Sequence, residues 1–205
     1  MKNIKWLIVL GLVVVFYWLS NYKARPKLHL SSVELTRQNY SKQVNQICKE
    51  MDLPPAYFKA LIVLECSGRF PPKSRYERHV YHKLSEVKRG KRKRYGSLTK
   101  THLKKFSDKT LKDLATSWGP LQVMGYQTIA MKIPLHWLKE EFALYYSIKW
   151  VKKSYGKYLK KRRFGDAFHI HNTGKPMPSI GTRTYDPNYV KKGLEYIKIF
   201  EKDAF

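Results

Sequence analysis

Carboxylates are scarce in this chain. Against 41 lysines and arginines there are 15 aspartates and glutamates, a formal net charge of +26 over 205 residues. That imbalance points to a polyanionic partner: nucleic acid, anionic lipid or an acidic wall polymer. Cysteine is scarcer still, with Cys48 and Cys66 alone. Two are too few for a disulfide framework, and no CxxC or Cys/His spacing suggests a zinc site. A single Cys48–Cys66 bridge is open outside a reducing cytosol; two buried small hydrophobes are the other reading. Runs of alternating polarity are missing, apart from a hairpin pattern around 75–97, and no internal repeat is evident. Apolar and aromatic residues are not missing. At 43% and 14% they exclude a disordered basic tail protein and imply a packed core. The length fits one domain plus a tail.

The one long apolar run is WLIVLGLVVVFYWL, residues 6–19, preceded by Lys2 and Lys5. A positive flank followed by an apolar stretch marks an export signal. No small-residue cleavage pattern follows, since Ser20, Asn21, Tyr22 and Lys23 come next. The run is shorter than the roughly 20 residues of a full span. Ile4, Tyr22 and snorkelling lysines can extend it, and Tyr17, Trp18 and Tyr22 suit an interface. The expectation is an uncleaved signal-anchor over 1–22; a cleaved signal peptide is the alternative. Residues 23–39, with Pro26, read as a linker, and 40–205 as the globular domain. Either way that domain is expected in a periplasmic or cell-wall compartment, membrane-anchored or secreted.

Within the domain the pattern is mainly α. Val44, Ile47, Cys48 and Met51 share one helix face. Asp52-Leu53-Pro54-Pro55 ends that helix and opens the next, because proline is tolerated in a first turn. Residues 56–65, AYFKALIVLE, are nearly all apolar, so that helix is expected to be buried on most sides. Ser67-Gly68 stops it. The basic stretch 83–105 reads as a solvated loop. Ser107 or Asp108 caps a helix near 108–115. A long aromatic helix is expected over 136–160, interrupted near Gly156. Residues 165–186, rich in Gly and Pro, read as loops. Asp186-Pro187 starts a last helix carrying Val190, Leu194 and Ile197 on one face.

Glu65 stands out chemically. It closes an apolar helix after Leu61, Ile62, Val63 and Leu64. Apolar walls disfavour a charged carboxylate, so Glu65 is expected to hold a proton near neutral pH, as a glycosidase acid must. A capping or ion-paired glutamate is the plainer reading. Its neighbours carry a resemblance. Glu65-Cys66-Ser67-Gly68 resembles the E-x-S-G signature of lysozyme-like wall enzymes. Tyr76-Glu77-Arg78-His79-Val80-Tyr81 resembles the F-E-R-H-x-F segment of bacterial and phage N-acetylmuramidase domains. Ser117-Trp118-Gly119-Pro120-Leu121-Gln122-Val123-Met124-Gly125 resembles their S-W-G-x-x-Q-V-M-G segment. His171-Asn172-Thr173-Gly174 resembles the Y-N-G loop, and Tyr185 to Tyr196 the closing Y-x-x-K-x-x-x-x-Y helix. These segments keep their order over about residues 40–200. Departures fall at His171, at Thr173-Gly174-Lys175 and in the basic stretch 83–105.

The resemblance implies an α+β lysozyme-like fold and cleavage of β-1,4 bonds between N-acetylmuramic acid and N-acetylglucosamine. It is related to goose-type lysozymes and lytic transglycosylases. Glu65 would be the general acid and Glu77 the second carboxylate; an ion pair with Arg75, Arg78 or His79 is the other reading of Glu77. Without a second carboxylate, the muramyl 6-hydroxyl would attack and leave an anhydro product. Ser67 would bind the sugar, Ser117 and Gln122 would bind the sugar or orient Glu65, and Gly119 would let the backbone approach the ring; a tight turn whose Gly and Pro are purely structural is the other reading. Met124 and Tyr126 read as cleft wall or core. Asn172 and Tyr189 would hold the N-acetyl group and support Glu65. His169 and His171 lack partners for a metal pair, so neither a metal nor a cofactor is expected.

Two rivals come from other classes. Basic runs at 88–94 and 149–163, interleaved with Trp150, Tyr155 and Tyr158, suit phosphate contacts and base stacking. No nucleic-acid motif accompanies them, and the export segment argues against DNA. The other rival is an inactive wall-binding scaffold. The expected partners are therefore glycan strands, the membrane through the N-terminal segment, and a secretion or conjugation apparatus.

Overall fold

The computed structural model describes residues 30–181 and 184–204. The chain divides into two units, residues 1–30 and 31–205. The expected signal-anchor over 1–22 lies outside the described residues. Among the described residues no helix is long and apolar enough to cross a membrane.

The second unit is mainly helical. Helix α1 spans Ser32–Met51. It starts eight residues before Tyr40, so the linker reading of 23–39 fails from Ser32 onward. A capping box is the reason: the Ser31 hydroxyl accepts the Glu34 N–H, and the Glu34 carboxylate accepts the Ser31 N–H at 2.7 Å. Asp52 in the left-handed region closes α1. Helix α2, Pro55–Cys66, follows with proline in its first turn. Every side chain from Ala56 to Val63 is buried, including Lys59.

Strand β1 (Arg75–Tyr76) leads into α3 (Arg78–Lys88), the short α4 (Lys100–Leu103) and α5 (Asp108–Leu114). The expected loop over 83–105 is thus helical at both ends. Its apolar Leu84, Val87, Leu98 and Leu103 anchor it to a second small core, beneath the cations. The expected hairpin also differs: β1 pairs antiparallel with β2 (Thr116–Trp118), forty residues on, and β2 pairs with β3 (Val123–Met124). Helix α6 (Gln127–Met131) and a 3₁₀ turn (Leu135–Leu138) lead to α7, Ala143–Lys160. The helix expected from 136 is therefore broken before Ala143. Inside α7 the backbone leaves helical geometry at Tyr155 (φ −146°), beside Gly156.

Residues 165–173, read as loop, belong to α8 (Phe164–Thr173), with Phe164, Ala167 and Phe168 inward and Gly174 (φ 77°) as its left-handed stop. The last helix, α9, is Tyr189–Glu201. Its inner face is Val190, Gly193, Ile197 and Phe200; Leu194, expected there, is exposed. The face turns because Gly193 sits against the Phe168 ring, where a side chain would collide. Helices α1, α2, α7, α8 and α9 share the main core, with α2 at its centre, and a 3₁₀ turn (Lys202–Ala204) follows α9. The Arg37 guanidinium makes two bonds to Asp203, fastening α1 to that turn. Both cysteines are free thiols.

Candidate active site

Glu65 lies in the last turn of the buried helix α2, where the helix leaves the core. The turn is fixed by two left-handed residues. Ser67 (φ 54°) returns its N–H to the Val63 carbonyl, and Gly68 (φ 70°) lies against α1. A Cβ at position 68 would sit 2.5 Å from the Thr36 nitrogen and 2.6 Å from the Ser32 oxygen, so only glycine fits.

Beyond this turn opens a cavity of about 820 Å³. Glu65, Glu77, Ser67, Ser117, Gln122, Asn172 and Tyr189 all line it, so seven of the eight residues singled out in the sequence meet in one place. Gly119 does not line it. Gly119 is buried at φ 71°, and a Cβ there would meet Ala143 and the Leu138 carbonyl at 3.2 Å. Its glycine serves the close approach of the β2–β3 turn to the start of α7, which corrects the expectation that it admits a sugar ring.

The Glu65 side chain is 17% exposed. The buried Tyr189 phenol, from the first residue of α9, donates a short hydrogen bond to its Oε1. His171 Nε2 lies 3.8 Å from the same oxygen. Among the described residues, Glu65 Oε2 takes no hydrogen bond. Tyr189 is held well above the usual phenol range, first by burial and then by the Glu65 charge. Burial holds His171 below the usual imidazole range, against an opposing pull from Glu65 and the Leu121 carbonyl. The carboxyl thus takes one hydrogen bond from a neutral phenol and lies beside an imidazole whose burial disfavours its charge.

Glu77 caps the start of α3 across the cavity. Arg75 Nε is 2.5 Å from its Oε1 and His79 Nδ1 is 3.5 Å from its Oε2. Of the three partners the sequence offered, Arg75 and His79 therefore engage it, while Arg78 Nε donates to His82. Ser117 Oγ donates to Gln122 Oε1 at 2.8 Å, and Gln122 Nε2 donates to the Lys73 and Gly119 carbonyls at 2.9 Å. Gln122 itself holds φ 49°, uncommon for a residue with a side chain. Ser117 and Gln122 thereby brace the β2–β3 turn against the loop before β1. Met124 lines the cavity, whereas Tyr126 packs in the second core.

The cavity's two long cations are both paired: Arg75 with Glu77, and Lys192 with Asp186 at 2.8 Å. The basic runs at 88–94 and 149–163 line no part of it. Sequence reasoning missed Arg75, His79, Tyr185, Asp186 and Lys192 as lining residues, and it missed His171 as the neighbour of Glu65. The His171-Asn172 pair was legible, but reading 165–186 as loop hid that a helix aims it inward. His169 is buried, with Nδ1 2.7 Å from the Lys175 carbonyl.

No family model, no curated protein and no solved structure matches this chain.

Proposed function

We propose that this chain is a peptidoglycan-cleaving glycosidase of lysozyme-like α+β type, an N-acetylmuramidase. The observation that carries this reading is the position of Glu65. It is a carboxyl at the end of a buried helix, held through one oxygen by a neutral phenol, beside a cavity that Glu77 also lines. Such a group can pass a proton to a glycosidic oxygen as the bond breaks and positive charge develops on the sugar. Tyr189 fixes the carboxyl's orientation. Glu77, facing the same cavity, can draw a proton from the attacking water. The motif order along residues 40–200 supports the substrate class, a β-1,4-linked amino-sugar strand. The export segment supports a wall-side location, with residues 1–22 as anchor.

One observation favours a second outcome. Arg75 and His79 face one Glu77 oxygen each, so the attacking water has to compete with them for the carboxylate. If Glu77 stays so paired, the muramyl 6-hydroxyl attacks and the enzyme is a lytic transglycosylase. Mass spectrometry of fragments released from purified peptidoglycan tests the reading. A muramidase gives reducing muropeptides, and Glu77→Gln lowers their release about a hundredfold. Anhydro-muropeptides with an active Glu77→Gln variant assign the transglycosylase. No fragments from the wild-type chain would refute both, and tight salt-sensitive DNA binding without cleavage would favour a nucleic-acid role.

A further inference from the structure

Behind Glu65 runs a chain of hydrogen bonds that proton delivery by Glu65 and Glu77 leaves unused. The Tyr57 hydroxyl donates to the Tyr155 oxygen at 3.4 Å. Tyr155 Oη lies 2.6 Å from His171 Nδ1, and His171 Nε2 lies 2.9 Å from the Leu121 carbonyl oxygen. A carbonyl only accepts, so Nε2 carries the ring hydrogen. Nδ1 of the neutral ring is then a lone pair and accepts the Tyr155 O–H. The α7 backbone leaves helical geometry at Tyr155 itself, whose hydroxyl meets His171 of α8.

Three helices supply the groups around His171. Helix α2 contributes Glu65 and, one bond behind, Tyr57. Helix α7 contributes Tyr155 and the Trp150 ring edge. Helix α9 brings Tyr189 to the same carboxylate oxygen. Among the described residues, Glu65 is the one acid in this group. A second ring hydrogen, on Nδ1, would point at the hydrogen of Tyr155. Tyr155 would have to turn its O–H elsewhere, but its oxygen already faces the Tyr57 hydroxyl, and both phenols are fully buried.

We infer that Tyr155 is a positioning residue: by filling Nδ1 it fixes the His171 ring with its hydrogen on Nε2 and keeps that ring uncharged beside Glu65. An imidazolium 3.8 Å from Oε1 would place a positive charge beside the carboxyl that, as the acid, has to carry a proton to the glycosidic oxygen. The inference rests on Glu65 being that acid.

The test uses the full-length chain and Tyr155→Phe, which removes one hydroxyl. Nitrogen-15 spectra of the His171 ring are followed from about pH 4 to 8, alongside rates of muropeptide release. Wild-type His171 should show the Nε2–H tautomer. In Tyr155→Phe its midpoint should rise by about one pH unit, as a hydrogen bond to the neutral form is lost. Release near pH 6 should fall about tenfold with KM unchanged, and adding His171→Gln, which cannot titrate, should abolish that acid-side loss. An Nδ1–H tautomer in the wild type, which needs no variant to observe, overturns the inference. So does an unmoved midpoint in Tyr155→Phe. If the midpoint moves but the wild-type chain cuts no glycan, the hydrogen-bond lock stands and the assignment of Glu65 fails.

Discussion

Gly193 is the point where the geometry makes its least forgiving demand. It sits in α9 against α8, and a Cβ built there falls 2.7–2.8 Å from three atoms of the Phe168 ring. Contacts that short do not persist, so either the ring or the helix must move. The ring cannot retreat: Phe168 is fully buried, with Tyr57 at 4.6 Å and Tyr189 at 6.4 Å between ring centroids. Gly193→Ala therefore pushes α9 off α8. Overpacking of this kind costs about 1–3 kcal/mol. The better helix propensity of alanine returns about 1 kcal/mol. The expected net loss is about 1 kcal/mol, a drop in Tm of roughly 2–4 °C for a unit of this size. Urea midpoints and thermal melts of the full-length chain measure it, and Gly193→Ala with Phe168→Leu should recover most of the loss. Tyr189 opens the same helix and holds Glu65, so release of wall fragments should fall further than stability does, about tenfold. A Gly193→Ala chain as stable as the wild type, or more so, would show that propensity rather than packing governs this helix pair. It would refute the reasoning.

Two further outcomes turn on charge. On the proposed function the cations outside the cavity would serve attraction to an anionic wall, while Arg75 and Lys192 inside it are paired. Raising salt from about 0.05 to 0.5 M should therefore weaken sedimentation with wall material yet leave cleavage of a short neutral glycan oligomer within about twofold; equal losses in both assays would place the cations in the cleft. Cys48 supplies a test at alkaline pH. Burial pushes its thiol from 9.0 up to about 12, with Lys59 opposing weakly. A group whose folded value is raised contributes stability in full below its unfolded value and loses it as pH rises toward the folded one. Urea midpoints should accordingly fall between pH 9 and 12, and Cys48→Ala should flatten that fall; identical slopes in the two proteins would contradict the burial.

Much of the fold was legible in the sequence, for physical reasons that differ by element. The near-continuous apolar run of α2 can be satisfied only at the centre of a core, so its burial followed, with Glu65 as its half-buried end. Pro55 and the Ser67-Gly68 stop fixed its limits. The start of α1 was also written in the chain, as Ser31 with Glu34 three residues on, yet the polar surroundings masked the capping box. Residues 165–173 were misread because Gly165 and Gly174 look like loop punctuation, although one is a helical residue and the other a C-terminal stop. The β1–β2 pairing was hidden by distance, since two residues pairing with a strand forty positions later leave no local pattern. The lining residues at Arg75 and His79 flank Glu77 and could have been proposed from it. The Tyr57–Tyr155–His171 chain could not, because three residues from three helices meet only once the packing is known.

The central claim is that Glu65 breaks the glycan. The most direct measurement compares muropeptide release from purified peptidoglycan by the wild-type chain and by Glu65→Gln, with melting curves to confirm that both are folded. Glutamine keeps the shape and can still meet Tyr189, but has no acid proton to give. The account predicts a loss of about a hundredfold or more, with Tm nearly unchanged. Equal release by the two proteins would contradict it.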